Sequence, residues 1–255
     1  SLISRTLLVI SYGYDQVGYL QVAMAIQTMI LFIPSAIGTN MFPWFSSNSS
    51  EKNNYYLKKK IPQLTRIFVF IVGIIVIIFI PISSYFVTTL YGNKYFPSIE
   101  LMQWLLLDTL FVSQIEIYNK YVMSISKNYL ILKLDVLSLL LTVSLLYILV
   151  HRYGALGVVW ISILVRAVVL LLYQKIVSKE LDYNISEGLS TYGLTAVSVF
   201  FLLLIYDTSR IQFLYMFIVL ISYSLMYIKI IFKKDDLRII QKMLHIFLST
   251  VSQKF

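Results

Sequence analysis

The sequence contains no cysteine and only two histidines. Disulfides, thiolate metal sites and cysteine nucleophiles are therefore excluded, and the lone imidazoles of His151 and His245 form no cluster in the chain. Charge is also scarce. Asp, Glu, Lys and Arg together make up 13% of the 255 residues, against ~25% in an ordinary soluble domain. So few charged side chains leave the surface of a compact soluble domain uncovered. Several motifs are missing as well. No basic n-region with a small-residue cleavage site opens the chain, so no signal peptide is read there. No His/Glu metal spacing, GxSxG elbow or phosphate-binding glycine loop occurs, so no catalytic constellation is found and no enzyme is expected.

What the sequence has instead is apolar length. Hydrophobic residues account for 59%, and Tyr (20) and Phe (16) are abundant; mean hydropathy is +0.81. A membrane-crossing helix needs ~20 mostly apolar residues. Residues 18–46, 63–90, 98–126, 130–150, 154–177, 189–206 and 211–232 meet that length, and 2–12 form a shorter stub. Runs such as IVGIIVIIFI do not alternate as barrel strands do, so the spans read as helices. Pro34 falls inside the first full span as a kink, Pro62 opens the second near its first turn, and Pro97 precedes the third. The expected fold is all-α: a polytopic membrane bundle of about seven complete helices plus a truncated one. Residues 235–254 carry Leu237, Ile240, Leu244, Phe247 and Val251 at three- and four-residue steps with basic residues between them. They read as an amphipathic helix on the membrane surface.

Charge placement sets the orientation. Sixteen of the 21 Lys and Arg residues lie in or beside the connections 46–62, 127–129 and 178–188 and the tail after 232, and three (Lys94, Arg152, Arg210) on the opposite side. By the positive-inside rule the first set is cytoplasmic, with the C-terminus among it. The net charge of +9 is thus a topology signal with anionic-lipid contact, not a nucleic-acid footprint. The outer connections 13–17, 91–97, 151–153 and 207–210 are short, which argues against a glycosyltransferase or polymerase. Tyr12, Tyr14, Tyr19, Tyr91, Tyr95 and Tyr153 on the outer side, with Tyr55 and Tyr56 on the inner, read as an aromatic belt ahead of a sugar platform.

Ionisable residues inside spans are rare and face protein or a cavity. Arg5 lies in the stub, and Arg166 sits near the middle of 154–177, where it either holds a phosphate or carboxylate or pairs with an acid such as Asp108 or Glu116. On 98–126, Asp108, Thr109, Ser113, Glu116, Asn119, Lys120 and Ser124 fill one arc of about 160° at ~100° per residue. That stripe is expected to line a cavity, with Glu116 and Lys120 partly neutralising each other at i,i+4. Gln21, Thr28, Ser35 and Thr39 form a weaker stripe that suits helix–helix packing ahead of a cavity, and Lys133 and Asp135 read as interfacial.

Three stretches carry a family resemblance. DQVGYLQVAMAIQTMILFIPSAIGTNMFPWFSS, LYGNKYFPSIELMQWLLL and KNYLILKLDVLSLLLTVSLLYILVHRYGALGVVWISIL resemble, in order, segments of bacterial O-antigen and capsule flippases, in the multidrug/oligosaccharidyl-lipid/polysaccharide exporter superfamily. The resemblance covers about residues 1–178 and implies the C-terminal lobe of a MATE-like, two-lobed, alternating-access transporter. It implies a partial first helix at 1–12, two peripheral helices within 179–232, a cytoplasmic amphipathic tail at 233–255 and a missing N-terminal lobe, consistent with a chain that starts inside an apolar run. The implied substrate is an undecaprenyl-pyrophosphate-linked oligosaccharide, flipped across the bacterial cytoplasmic membrane during O-antigen, capsule or exopolysaccharide synthesis alongside other polysaccharide assembly proteins. Arg166, Arg5 and Lys120 then become cavity cations for the pyrophosphate, and Asp108, Glu116 and Asn119 cavity-lining or coupling residues. No cofactor is implied beyond H+ or Na+ coupling. The family's acid beside Arg5 is replaced by Ser4, and YILVHRYG at 147–154 lacks the usual proline. The rival readings are a multidrug/cation antiporter of the same superfamily and a non-transporting fragment.

Overall fold

The computed structural model describes residues 2–48, 54–181, 185–205, 212–232 and 236, and these are almost entirely helical. Helix α1 is Leu2–Tyr12 and α2 Tyr14–Asn48. Helix α3 (Asn54–Tyr91) is followed by a 3-10 turn at Asn93–Tyr95 and by α4 (Ser98–Ser124). Helix α5 is Asn128–Leu181, α6 Ile185–Ile205 and α7 Gln212–Met226, which continues as a π-helical turn over Tyr227–Ile231. Among the described residues four segments are long and apolar enough to cross a membrane: 14–48, 60–91, 128–181 and 214–231. The expected amphipathic helix at 235–254 lies outside the described residues apart from Asp236, which is helical and buried.

Helix α5 is a hairpin rather than one rod. At Gly154 the backbone takes φ 58°, ψ −133°, a conformation open essentially to glycine alone. Beyond it the chain folds back, so that Gly157 lies against the Leu149 carbonyl, where a methyl group would collide. Ser138 and Arg166, Thr142 and Ser162, and Leu146 and Val158 line one cavity, which requires antiparallel limbs. Lys127 and Glu180 close the open end with a 2.6 Å ion pair. The two limbs match the expected segments 130–150 and 154–177.

One boundary differs from expectation. Helix α3 begins at Asn54, so Pro62 lies well inside it and Lys58 and Lys60 sit on helix, not in a loop. A polar N-terminal extension can continue a span, and an interior proline is accommodated at the loss of one N–H bond.

Contacts between helix ends sort those ends into two sets. At one end the Tyr12 hydroxyl donates to the His151 carbonyl (2.7 Å), Tyr95 meets Tyr19 and Tyr91, and Trp160 meets Tyr153 and Trp104. At the other, Phe45 packs on Tyr121, and Lys127 reaches Glu180. This is the alternation the connections require.

Helix α4 is the axis of the bundle, with both faces buried, including Gln103, Asp108, Thr109, Ser113 and Gln114. It packs against α2, α3, α5 and α6. A helix buried all round keeps its polar residues away from lipid. The outward surfaces of the first α5 limb (Leu132, Leu139, Leu140, Val143, Ile148) and of α7 (Leu214, Phe217, Ile218, Ile221, Leu225) are large, exposed and apolar. Such continuous patches suit a lipid solvent.

Helices α6 and α7 attach to α3 through a polar and aromatic seam. Gly73 leaves room for the Tyr223 hydroxyl, which lies 3.3 Å from Thr195 Oγ1. Phe70 packs among Tyr223, Tyr227 and Phe232. Below this seam, Arg66 donates from Nε and NH2 to the two carboxylate oxygens of Asp236 (2.9 and 3.1 Å), and the Tyr227 hydroxyl donates to the Arg66 carbonyl (2.8 Å).

Candidate functional site

Asp108 lies in the middle third of α4 and is wholly buried. Two helices supply its partners. From α2, Gln27 Nε2 donates to Asp108 Oδ2 (2.9 Å) and to the Leu105 carbonyl (3.0 Å). From the second limb of α5, Arg166 donates through NH1 to the same Oδ2 in an ion pair. Asp108 Oδ1 is buried without a hydrogen-bond partner among the described residues. The carboxylate is therefore anchored on one oxygen only.

The two ends of the ion pair have different surroundings. The Asp108 side chain is fully enclosed, whereas that of Arg166 is 38% exposed. A guanidinium carries five N–H donors. Among the described residues Arg166 spends NH1 on Asp108 and makes no other hydrogen bond. The pair borders a cavity of about 210 Å³ that also touches Ser4 of α1, Leu20 and Met24 of α2, and Ser138, Thr142 and Ser162 of the hairpin. The Thr142 and Ser162 hydroxyls donate to their own helix carbonyls at Ser138 and Val159.

Arg5, half-buried on α1, is held by an amide instead of an acid. With the Gln21 amide turned to present its oxygen, Arg5 donates to it from Nε (2.8 Å), NH2 (3.1 Å) and NH1 (3.2 Å). It makes no ion pair among the described residues, so its charge is solvated by a neutral group.

The expected α4 stripe divides in two. Asp108 joins Arg166, while Glu116, Asn119 and Lys120 lie two to three turns further on, up to about 18 Å along the axis at 1.5 Å per residue. All three are half-buried. The Asn119 side-chain oxygen Oδ1 accepts from the Tyr173 hydroxyl (3.2 Å), and the Lys120 stem runs past Gly38 of α2. Two expectations are corrected. Glu116 and Lys120 form no ion pair among the described residues, although their i,i+4 spacing allows one. Thr109 and Ser113 are fully buried and donate to Leu105 and Leu110 carbonyls of their own helix, so they line no cavity. Buried hydroxyls are satisfied most directly by the preceding helical turn.

The α2 stripe is also corrected. Thr28, Ser35 and Thr39 are exposed, and the two threonines donate to the carbonyls of Met24 and Ser35, so they pack on no other helix here. Gln27, which the sequence reading passed over, is the α2 residue that reaches the buried acid. Its one signal was an isolated amide within the apolar run VAMAIQTMIL.

Among the described residues no group of three His, Asp or Glu side chains is arranged to hold a metal ion. No family model matches the chain, and neither a curated protein nor a solved structure matches it.

Proposed function

We propose that the chain forms one lobe of a bacterial membrane transporter that flips pyrophosphate-linked oligosaccharides, carried on an undecaprenyl lipid, across the cytoplasmic membrane by alternating access. The observation that carries this reading is the posture of Arg166. One N–H fixes it to Asp108, and its remaining donors stay on a cavity at mid-bundle, partly exposed. An anchored guanidinium with unused donors suits bidentate binding of a phosphate oxygen pair. Arg5, held by the neutral Gln21, supplies a second positive charge on the adjoining helix.

Two further features support the reading. The exposed face of α2 carries Thr28, Ser35 and Thr39 together with Met29, Phe32 and Ile33, a mixed surface that suits a facing lobe. The hairpin and the alternating helix ends fit seven spans and a stub, with α4 as a polar central span. In the mechanism, Arg166 and Arg5 draw in the pyrophosphate, Lys120 extends the positive path toward the inner end, the lipid tail stays in the bilayer, and rocking of the lobes re-exposes the cavity outward.

Export of cations by the same architecture needs an acid free to bind them. Asp108 is already held by Arg166, which favours an anionic substrate. The test is translocation of a pyrophosphate-linked oligosaccharide in vesicles by the whole transporter. Arg166→Gln is expected to lower the rate at least ~10-fold, the loss of one charge-assisted contact, and Arg166→Lys to recover only part of it. A full rate in Arg166→Gln would refute the assignment.

A further inference from the structure

A second concavity lies beside the start of α4, away from Arg166. It is a groove of about 480 Å³ between the start of α4 and the end of α6, lined by Phe96, Glu100, Gln103, Trp104 and Leu203 among others. Its side-chain acceptors are the Glu100 carboxylate and the Gln103 amide oxygen, and the Trp104 indole adds one N–H donor. The Ser83 hydroxyl spends its proton on the Ile80 carbonyl (2.5 Å), so its oxygen accepts from Gln103 Nε2 (3.0 Å). That bond fixes the amide of Gln103, a residue only 5% exposed, and leaves Oε1 with no donor among the described residues. Glu100 is exposed and makes no ion pair among the described residues. Among the described residues it is the only charged one on the groove.

The walls are aromatic and apolar. Trp104 is half-buried and contacts Trp160 and Phe200 with ring centroids 6.3 and 6.2 Å apart. Phe96 is 54% exposed. From Leu203 the surface continues along α6 over exposed Phe200 and Val197, an apolar track on the helix.

From this arrangement we propose that the groove binds a membrane lipid with an ammonium headgroup, its acyl chain lying along α6. A carboxylate with no basic neighbour among the described residues of the groove repels an anionic headgroup and attracts a cationic one. The Gln103 carbonyl has no protein donor among the described residues, and an ammonium can supply one. Trp104 and Phe96 offer π faces to the same charge. A neutral sugar would use the acceptors and rings but would leave the negative charge and the apolar track without a counterpart. This proposal stands apart from the Arg166 cavity and does not depend on it.

Native mass spectrometry of the full chain, purified with phosphatidylethanolamine, phosphatidylglycerol or a neutral glucosyl-diacylglycerol, tests it. The expected result is retention of phosphatidylethanolamine at least ~5-fold above the other two, in line with a cation–π contact plus one partly exposed ion pair. Glu100→Gln should abolish the preference, Glu100→Asp should keep most of it, and Trp104→Leu should weaken it. Glu100 is exposed, so these acidic-site variants leave the core untouched. Equal retention of the three lipids, an unchanged preference in Glu100→Gln, or glycolipid retained as well as phosphatidylethanolamine would each overturn the proposal, the last in favour of a sugar site.

Discussion

Asp108 and Arg166 contribute unequally to the stability of their pair. The acid has no access to water, whereas the guanidinium is more than a third exposed. Replacing Arg166 by Leu strands a buried carboxylate with Gln27 as its remaining donor, a loss of about 3–5 kcal/mol for a broken buried pair. Asp108→Asn leaves a cation that can still reach solvent and should cost about 1–2 kcal/mol, nearer a single hydrogen bond. Thermal unfolding of the two variants in detergent measures the difference, and equal losses would contradict the asymmetry. Gln174 is the converse case. Both polar atoms of its side chain are buried without a partner. Gln174→Leu is expected to raise the unfolding midpoint by the equivalent of about 1–3 kcal/mol, the penalty of unsatisfied buried groups; a lowered midpoint would mean that the amide is satisfied by bound water.

Among the elements, the α5 hairpin depends most on one residue. Gly154 adopts a conformation that a side chain resists, with the Tyr12 ring 3.6 Å from where its Cβ would stand. Gly154→Ala should destabilise the fold by about 1–3 kcal/mol, read as increased protease cleavage near 154. An unchanged cleavage pattern would refute a strained turn. The hairpin was legible beforehand because apolar periodicity stopped at HRYG and resumed after it, and helix positions followed from apolar length alone. What stayed illegible depended on which helices touch. Arg166 had two acids to choose between on the same helix, and only packing selects Asp108 over Glu116. Gln27 differs from Gln21 by under two helical turns, yet one faces the buried acid and the other Arg5. Arg66 looked like a loop-side charge because α3 was expected to begin nine residues later than it does, and its partner Asp236 is 170 residues away in the chain.

At the scale of the molecule, the absence of cysteine makes every introduced thiol unique. Single variants Asn93→Cys and Arg152→Cys should react with an impermeant maleimide from one side of the membrane, and Asn128→Cys from the other. Labelling of Asn93→Cys and Asn128→Cys from the same side would break the alternation of helix ends. The order of synthesis adds a consequence of the central ion pair. Arg166 emerges 58 residues after Asp108, a delay of several seconds at about 5–20 residues per second. An acid that enters the hydrophobic phase within that interval has no cation yet to pair with. Gln27, made long before either, is the group available to meet it, so the amide is positioned to act first as a temporary host for the nascent helix and only later as the third member of the finished site.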